Sequence, residues 1–172
     1  MKVSLEQRET DRVEESWGPE VSRREKAAVV ERAATGFPPV VLVADDDKVV
    51  LSLLMHLLQK EGCVVFAFAD AKEALQFSRK YVGMIDLVVT DQVMPGLTGT
   101  ELCGFLRQER PRTKVLLLSG QDSYPGDRRR SPRNPAVPFL PKPFDTGTFR
   151  SLVRHMLGIA IPQSAGSPGE VH

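Results

Sequence analysis

From Val40 onward, short apolar runs alternate with stretches in which apolar and polar positions follow a helical period. Five runs predict buried strands: Val40–Ala44, Val64–Ala67, Leu87–Asp91, Val115–Leu118 and Phe139–Leu140. The stretches between them carry apolar residues three and four positions apart, which predicts amphipathic helices. Regular alternation of strand and helix is typical of a doubly wound parallel sheet with helices on both faces.

The predicted helices have recognisable starts. Asp47, Asp70 and Asp145 each precede a helical pattern, where a carboxylate can accept the free amide hydrogens of the first turn. Thr98 and Glu101 form a capping box at the start of the third helix. The faces expected to be buried are Val50, Leu53, Leu54, Leu57 and Leu58 in the first helix, Ala71, Ala74, Leu75 and Ser78 in the second, Leu102, Cys103 and Leu106 in the third, and Phe149, Leu152, Val153, Met156 and Leu157 in the last.

One interval, Gln121–Pro138, breaks the alternation. It contains Pro125, Pro132 and Pro135, the basic run Arg128–Arg130, and almost no large apolar residue. Proline in a helix interior removes an amide donor and clashes with the preceding turn. We therefore predict a helical turn inside a mobile loop here, and a flavodoxin-like five-stranded sheet of order 2-1-3-4-5 with a degenerate fourth helix.

The chain has 172 residues and a formal net charge of +1, which fits one domain with tails and gives no reason to expect bulk binding to nucleic acid or membranes. We expect a charged N-terminal extension over residues 1–38, disordered or partly helical, then a domain over 39–158 and a flexible tail over 159–172. The start is not a signal peptide, and no apolar run approaches the roughly 20 residues of a membrane span. We expect a soluble, cytoplasmic protein, with Cys63 and Cys103 as buried hydrophobic residues.

Polar residues follow four of the predicted strands. Asp45 and Asp46 follow the first, Asp91 ends the third, Ser119 follows the fourth and Lys142 follows the fifth. The carboxyl ends of parallel strands meet at one edge of the sheet, where ligands bind. Crowded carboxylates raise their pKa values or hold a cation, and an all-oxygen set without histidine or cysteine favours Mg²⁺. A carboxylate beside Mg²⁺ can also attack phosphorus. Taken singly, each residue has a plain interpretation as a cap, a turn former or a surface lysine.

Four motifs together give a family resemblance: Val43–Asp47, Thr90–Gly99, Leu118–Gly120 and Lys142–Phe144. The segment Pro39–Leu157 resembles a receiver domain of a two-component response regulator. The stretch from Phe139 to Phe144 is similar, more loosely, to receivers attached to hybrid sensor kinases.

This resemblance implies a role for each acidic residue. Asp91 resembles the phosphoacceptor that takes a phosphoryl group from a histidine kinase, and it also contributes to the metal site. Asp46 resembles the direct metal ligand, and Asp45 resembles the acid that acts through metal-bound water. The third metal contact of the family, a main-chain carbonyl, falls on Val93.

The resemblance also implies the residues that respond to phosphorylation. Ser119 resembles the hydroxyl that moves toward the phosphoryl oxygen, and Phe139 resembles the aromatic switch on strand five. Lys142 resembles the lysine that pairs with the phosphoryl oxygens. The family usually places a helix where this chain has Gln121–Pro138, and that helix contributes to a common output surface.

The resulting hypothesis is a single-domain receiver that is phosphorylated on Asp91 with Mg²⁺ and then switches protein–protein interactions. Its expected partners are a histidine kinase or phosphotransfer protein and an unknown downstream protein, without direct DNA binding, membrane contact or turnover of a separate substrate. We expect a monomer or a phosphorylation-dependent dimer. Two alternatives are a pseudo-receiver that only docks proteins and, less favoured, a Mg²⁺-dependent aspartyl phosphohydrolase. The latter type carries Asp-x-Asp on strand one and a cap domain, a pattern that Asp45-Asp46-Asp47 does not complete.

Overall fold

A computed structural model of the chain describes residues 36–120, 130–131 and 134–159. The strands in these ranges are β1 (Val40–Ala44), β2 (Val64–Phe68), β3 (Leu87–Asp91), β4 (Lys114–Ser119), β5 (Arg130–Ser131) and β6 (Asn134–Pro141). The helices are α1 (Lys48–Lys60), α2 (Ala71–Lys80), α3 (Gly99–Glu109) and α4 (Thr146–Leu157). The expected extension and tail, apart from residues 36–38 and residue 159, lie outside the described residues.

The sheet has the predicted topology. Its strand order is β2-β1-β3-β4-β6-β5, and every neighbouring pair from β2 to β6 is parallel. With β6 as the fifth parallel strand, the order 2-1-3-4-5 is confirmed. The order reverses at β1, so the crevice of such a sheet falls between β1 and β3.

The helical turn expected within Gln121–Pro138 stays a prediction, whereas the loop predicted around it is wrong for the residues that are described. Residues 130–131 form β5, and residues 134–138 extend β6 backward from its predicted start at Phe139. The two strands pair antiparallel, with Arg130 opposite Pro138. Proline lacks an amide donor but is tolerated in strands at the margin of a sheet. Residues 121–129 and 132–133 lie outside the described part of the chain.

The two faces of the sheet carry separate cores. Leu42 and Ala44 of β1 point to one face, where they pack with α2 and α3. Val41 and Val43 point to the other face, where they pack with α1 and α4. All four side chains are fully buried, and burial of a valine or leucine side chain contributes about 1.5–3 kcal/mol. The alternation along a single strand therefore fixes which pair of helices covers each face.

The predicted helix faces are largely confirmed. The residues expected inside α2, α3 and α4 are buried, except that Leu157 is only half-buried. In α1, Leu54, Leu57 and Leu58 are buried and Val50 is half-buried, whereas the prediction for Leu53 is wrong because that side chain is 39 % exposed. Leu53 lies one turn after Val49, which is 78 % exposed, and the two share the outer border of the helix.

The predicted N-caps are confirmed. Asp47, Asp70 and Asp145 each accept amide hydrogens from the first turn of α1, α2 and α4. Thr98 and Glu101 form the reciprocal capping box of α3. The starts of all four described helices therefore follow from local sequence signals.

Both cysteines are buried, as predicted. None of the helices among the described residues has the length and apolar character of a membrane span.

Candidate functional site

Three carboxylates meet at the carboxyl edge of the sheet. Strands β1 and β3 are neighbours, with Ala44 opposite Thr90, so the acids that follow these two residues come from adjacent strand ends. One oxygen from each of Asp45, Asp46 and Asp91 lies within 4.8 Å of the other two. Asp45 is fully buried, Asp91 is partly buried and Asp46 is exposed. The cluster is thus buried on one side and open to solvent on the other.

Asp45 is held by two hydrogen bonds at the base of this cluster. Its Oδ1 accepts the amide hydrogen of Asp47 at 3.0 Å, and its Oδ2 accepts from Lys142 Nζ at 2.7 Å. Burial raises the pKa of Asp45, although the hydrogen bond from Lys142 opposes that change. The carboxylate is therefore short of stabilising positive charge, even with its lysine partner.

Lys142 bridges two of the acids. Its Nζ lies 2.7 Å from Asp45 Oδ2 and 3.3 Å from Asp91 Oδ1. Burial disfavours the charged amine, but the hydrogen bond and charge of Asp45 outweigh this effect and raise the pKa of Lys142. The residue therefore carries a positive charge at neutral pH. It comes from the end of β6, whereas Asp91 ends β3, so the sheet joins residues that are far apart in sequence.

Asp91 is positioned by a tight turn between β3 and α3. Its Oδ1 accepts the amide hydrogen of Gln92 at 2.9 Å, and the Gly99 amide donates to the Gln92 carbonyl at 3.1 Å. A Cβ atom on Gly99 would lie only 2.0 Å from the main-chain oxygen of Asp91. Only glycine fits this position without displacement of the backbone. Sequence reasoning gave Gly99 no role, although a glycine directly after the capping residue Thr98 was an available signal.

The other predicted site residues take different positions. Ser119 is buried at the end of β4, and its hydroxyl donates to the carbonyl of Gly120 at 3.2 Å. Its own carbonyl accepts the amide hydrogen of Lys142 at 2.6 Å, which links the ends of β4 and β6. Phe139 pairs with Leu117 and is buried in the core formed with α2 and α3. Val93 lies in the turn after β3, with its side chain 62 % exposed.

The donor set suits a hard divalent cation. Three carboxylates face one lysine, which leaves excess negative charge among oxygens that lie close enough to share an ion. Carboxylate oxygens with an open, solvated side are typical ligands of Mg²⁺, which retains several water molecules. The residues present therefore fit a Mg²⁺ site.

The chain matches the family described as response regulator receiver domain over residues 41–154. The protein belongs to this family of two-component signalling domains. The matched segment contains all three carboxylates and Lys142, so the family covers the candidate site as well as the sheet.

Among curated proteins, the receiver is similar to sensor kinase CckA of Brucella abortus, with 33 % identity over 139 residues, which is 80 % of this chain and 14 % of the kinase. It is also 31 % identical to the regulatory protein PhoP of Bacillus subtilis, over 72 % of this chain and 52 % of that protein. The chain thus spans about half or less of these curated relatives.

Solved structures show the same fold. The receiver domain of the hybrid histidine kinase CckA is 31 % identical, with a TM-score of 0.57 over 69 % of this chain and 98 % of that one. The chemotaxis protein CheY4 of Vibrio cholerae is 27 % identical, with a TM-score of 0.60 over 70 % of this chain and 99 % of that one. The predicted likeness to receivers of hybrid kinases is therefore confirmed, alongside a likeness to other receivers.

Proposed function

We propose that this receiver accepts a phosphoryl group on Asp91 from a histidine kinase or phosphotransfer protein and then changes its affinity for a downstream protein. The observation that supports this most is the bridging position of Lys142, 2.7 Å from Asp45 and 3.3 Å from Asp91. A cation at this place can pair with oxygens that a phosphoryl group would add to Asp91. Family membership supports the same chemistry.

The transfer uses one oxygen of Asp91 as nucleophile. Oδ1 is engaged by the Gln92 amide and lies near Lys142, so we assign the attack to Oδ2. An O–P bond forms between Oδ2 and the phosphorus of a phosphohistidine as the P–N bond breaks. The imidazole leaves with the electron pair of that bond and takes up a proton. In this proposal, Lys142 and the hydroxyl of Ser119 pair with the phosphoryl oxygens of the product.

We assign the direct metal contacts to Asp46, Asp91 and the main-chain carbonyl of Val93, and a contact through water to Asp45. Bound Mg²⁺ would neutralise negative charge on the phosphoryl oxygens and favour in-line transfer. Phe139 is the proposed aromatic switch, and its movement would rest on packing alone because it has no hydroxyl.

The test uses a small-molecule phosphodonor, Mg²⁺ and intact-mass measurement. The wild-type protein should gain the mass of one phosphoryl group, and Asp91→Asn should not. Asp47→Asn is the matched control, because it removes a charge two residues from Asp45 while asparagine still caps α1. No gain in the wild type, or an equal gain in Asp91→Asn, would overturn the proposal and favour a receiver that binds partners without phosphorylation.

A further inference from the structure

Helices α1 and α4, which cover the same face of the sheet, are joined at both ends by ion pairs. At the end near the candidate site, Asp45 precedes α1, Lys142 precedes α4, and the two side chains lie 2.7 Å apart. At the opposite end, Glu61 follows α1 and forms ion pairs with two arginines of α4. We call the first contact the site-side pair and the second, made by Glu61, Arg150 and Arg154, the distal cluster.

The distal cluster is built around a buried carboxylate. The Glu61 side chain is 3 % exposed, whereas those of Arg150 and Arg154 are 39 % and 20 % exposed. Each Glu61 oxygen accepts a hydrogen from a different arginine, Oε1 from Arg150 and Oε2 from Arg154. The arginines are four residues apart and therefore lie on consecutive turns of one face of α4. One carboxylate thus fixes two turns of the helix.

A second contact holds the same end of α4. Lys114 at the start of β4 donates from Nζ to the main-chain carbonyl of Met156 at 2.6 Å. Lysine at the carboxyl end of a helix also compensates the negative end of the helix dipole. From Arg150 to Met156, α4 is therefore tied to α1 and to the sheet, whereas Lys142 is shared between Asp45 and Asp91, so its contacts can be redistributed.

We propose that Glu61 is the fixed point of α4 from Arg150 onward, so that loss of the Asp45–Lys142 pair loosens only the first turn of the helix. A displacement of Lys142 would then change the structure of α4 only at the end near the site, while the distal cluster stays unchanged. Such a device would convert a small displacement of Lys142 into a local change of the α4 surface. This inference does not require phosphorylation, because substitution of Lys142 removes the site-side pair directly.

The experiment measures amide hydrogen exchange along α4 by NMR in the wild type, in Lys142→Met, in Glu61→Gln and in the double variant. Lys142→Met should accelerate exchange at Thr148 and Phe149, whose amides bond to Asp145, about tenfold, the scale of one lost charge-assisted pairing, and leave residues 154–157 within about twofold of wild type. Glu61→Gln should accelerate residues 154–157 by a similar factor. The double variant should accelerate the whole helix by more than the product of the two single effects.

Glu109→Gln is the matched control. Glu109 also binds an arginine through both carboxylate oxygens, but its partner Arg79 joins α2 to α3. The Glu109→Gln substitution should therefore leave amide exchange in α4 unchanged. The proposal is overturned if Lys142→Met accelerates residues 154–157 as much as residues 148–149, if Glu61→Gln leaves residues 154–157 unchanged, or if Glu109→Gln reproduces the effect of Glu61→Gln.

A second variant keeps the test decisive if Glu61→Gln does not fold. Arg150→Gln removes one of the two arginines, and it should accelerate residues 154–157 by a smaller factor. Unchanged exchange there would count against the proposal. Failure of the phosphorylation test on Asp91 would leave all of these exchange results as they are, so the two proposals fail separately.

Discussion

Two glycines in α3 should respond in opposite directions to the same substitution. At Gly99 an added Cβ would lie 2.0 Å from the Asp91 oxygen and 3.0 Å from its carbonyl carbon. These are main-chain atoms, so the contact is relieved only when the backbone moves by more than about 1 Å, and we expect Gly99→Ala to cost about 3 kcal/mol. At Gly104, in the middle of the same helix, no atom lies within 4 Å of the added Cβ.

Alanine at Gly104 should therefore act through helix propensity alone. Glycine in a helix interior is about 0.8–1 kcal/mol less favourable than alanine, so Gly104→Ala should stabilise the domain by about that amount. Urea unfolding of the two variants and the wild type measures both free energies. The reasoning is refuted if both substitutions change the free energy of unfolding in the same direction, or if Gly99→Ala stays within about 0.5 kcal/mol of wild type.

The displacement at Gly99 should also reach the candidate site. The atom in the way is the main-chain oxygen of Asp91 itself, so any relief moves the residue that carries the proposed acceptor carboxylate. At a low temperature at which the Gly99→Ala variant is still folded, it should accept a phosphoryl group more slowly than the Gly104→Ala variant. Intact mass recorded over time measures both rates. Equal rates would mean that the turn relaxes without moving the carboxylate.

Three further predictions concern charge, thiols and metal. Burial alone would raise the pKa of Glu61, but the hydrogen bonds from Arg154 and Arg150 outweigh burial and lower this pKa. The stability that the Glu61 carboxylate contributes should therefore be complete above its ordinary pKa of 4.5. It should be lost as the pH falls through the lowered pKa of the folded state. Urea unfolding against pH should therefore show a shallower acid loss in Glu61→Gln than in the wild type. Burial raises the pKa of Cys63 and Cys103 to about 12, so an aromatic disulfide reagent that releases a coloured thiolate should label neither cysteine at pH 8 until denaturant is added. Fast labelling of the native protein would contradict this. Millimolar Mg²⁺ should raise Tm of the wild type by relieving carboxylate repulsion, and Asp46→Asn should lose that rise while Asp47→Asn keeps it; a flat Tm in the wild type would contradict the metal assignment.

The elements that were predicted correctly depend on residues close together in sequence. Asp47 caps α1 through amides two and three residues away, and the capping box of α3 spans three residues. Burial patterns in the helices likewise repeat every three or four positions. Such features are visible in a linear sequence because their physical cause is local.

The features that sequence reasoning missed depend on contacts between distant segments. Arg150 and Glu61 are 89 residues apart, and nothing near either residue marks the other as its partner. The close approach of Gly99 to Asp91 depends on the path of a turn, which composition does not specify. The exposure of Leu53 depends on which neighbouring element covers the border of α1, so its apolar character alone did not decide it.

The strand pair β5–β6 replaces the described part of the predicted loop, and it is separated along the sheet from the strands that carry the three carboxylates. The prolines in Gln121–Pro138 argued against a long helix, but they did not reveal that the part before Phe139 continues the strand. In this sheet β5 pairs with residues 134–138 on the outer side of β6, whereas β4 pairs with residues 139–141 on its inner side. Lys142 follows directly after the inner pairing, and its main-chain amide donates a hydrogen bond to the Ser119 carbonyl. The geometry of the acids and the lysine is therefore set by β1, β3, β4 and the last residues of β6. A change of structure in β5 or in residues 134–138 can therefore alter the surface at this margin of the sheet without moving the carboxylates.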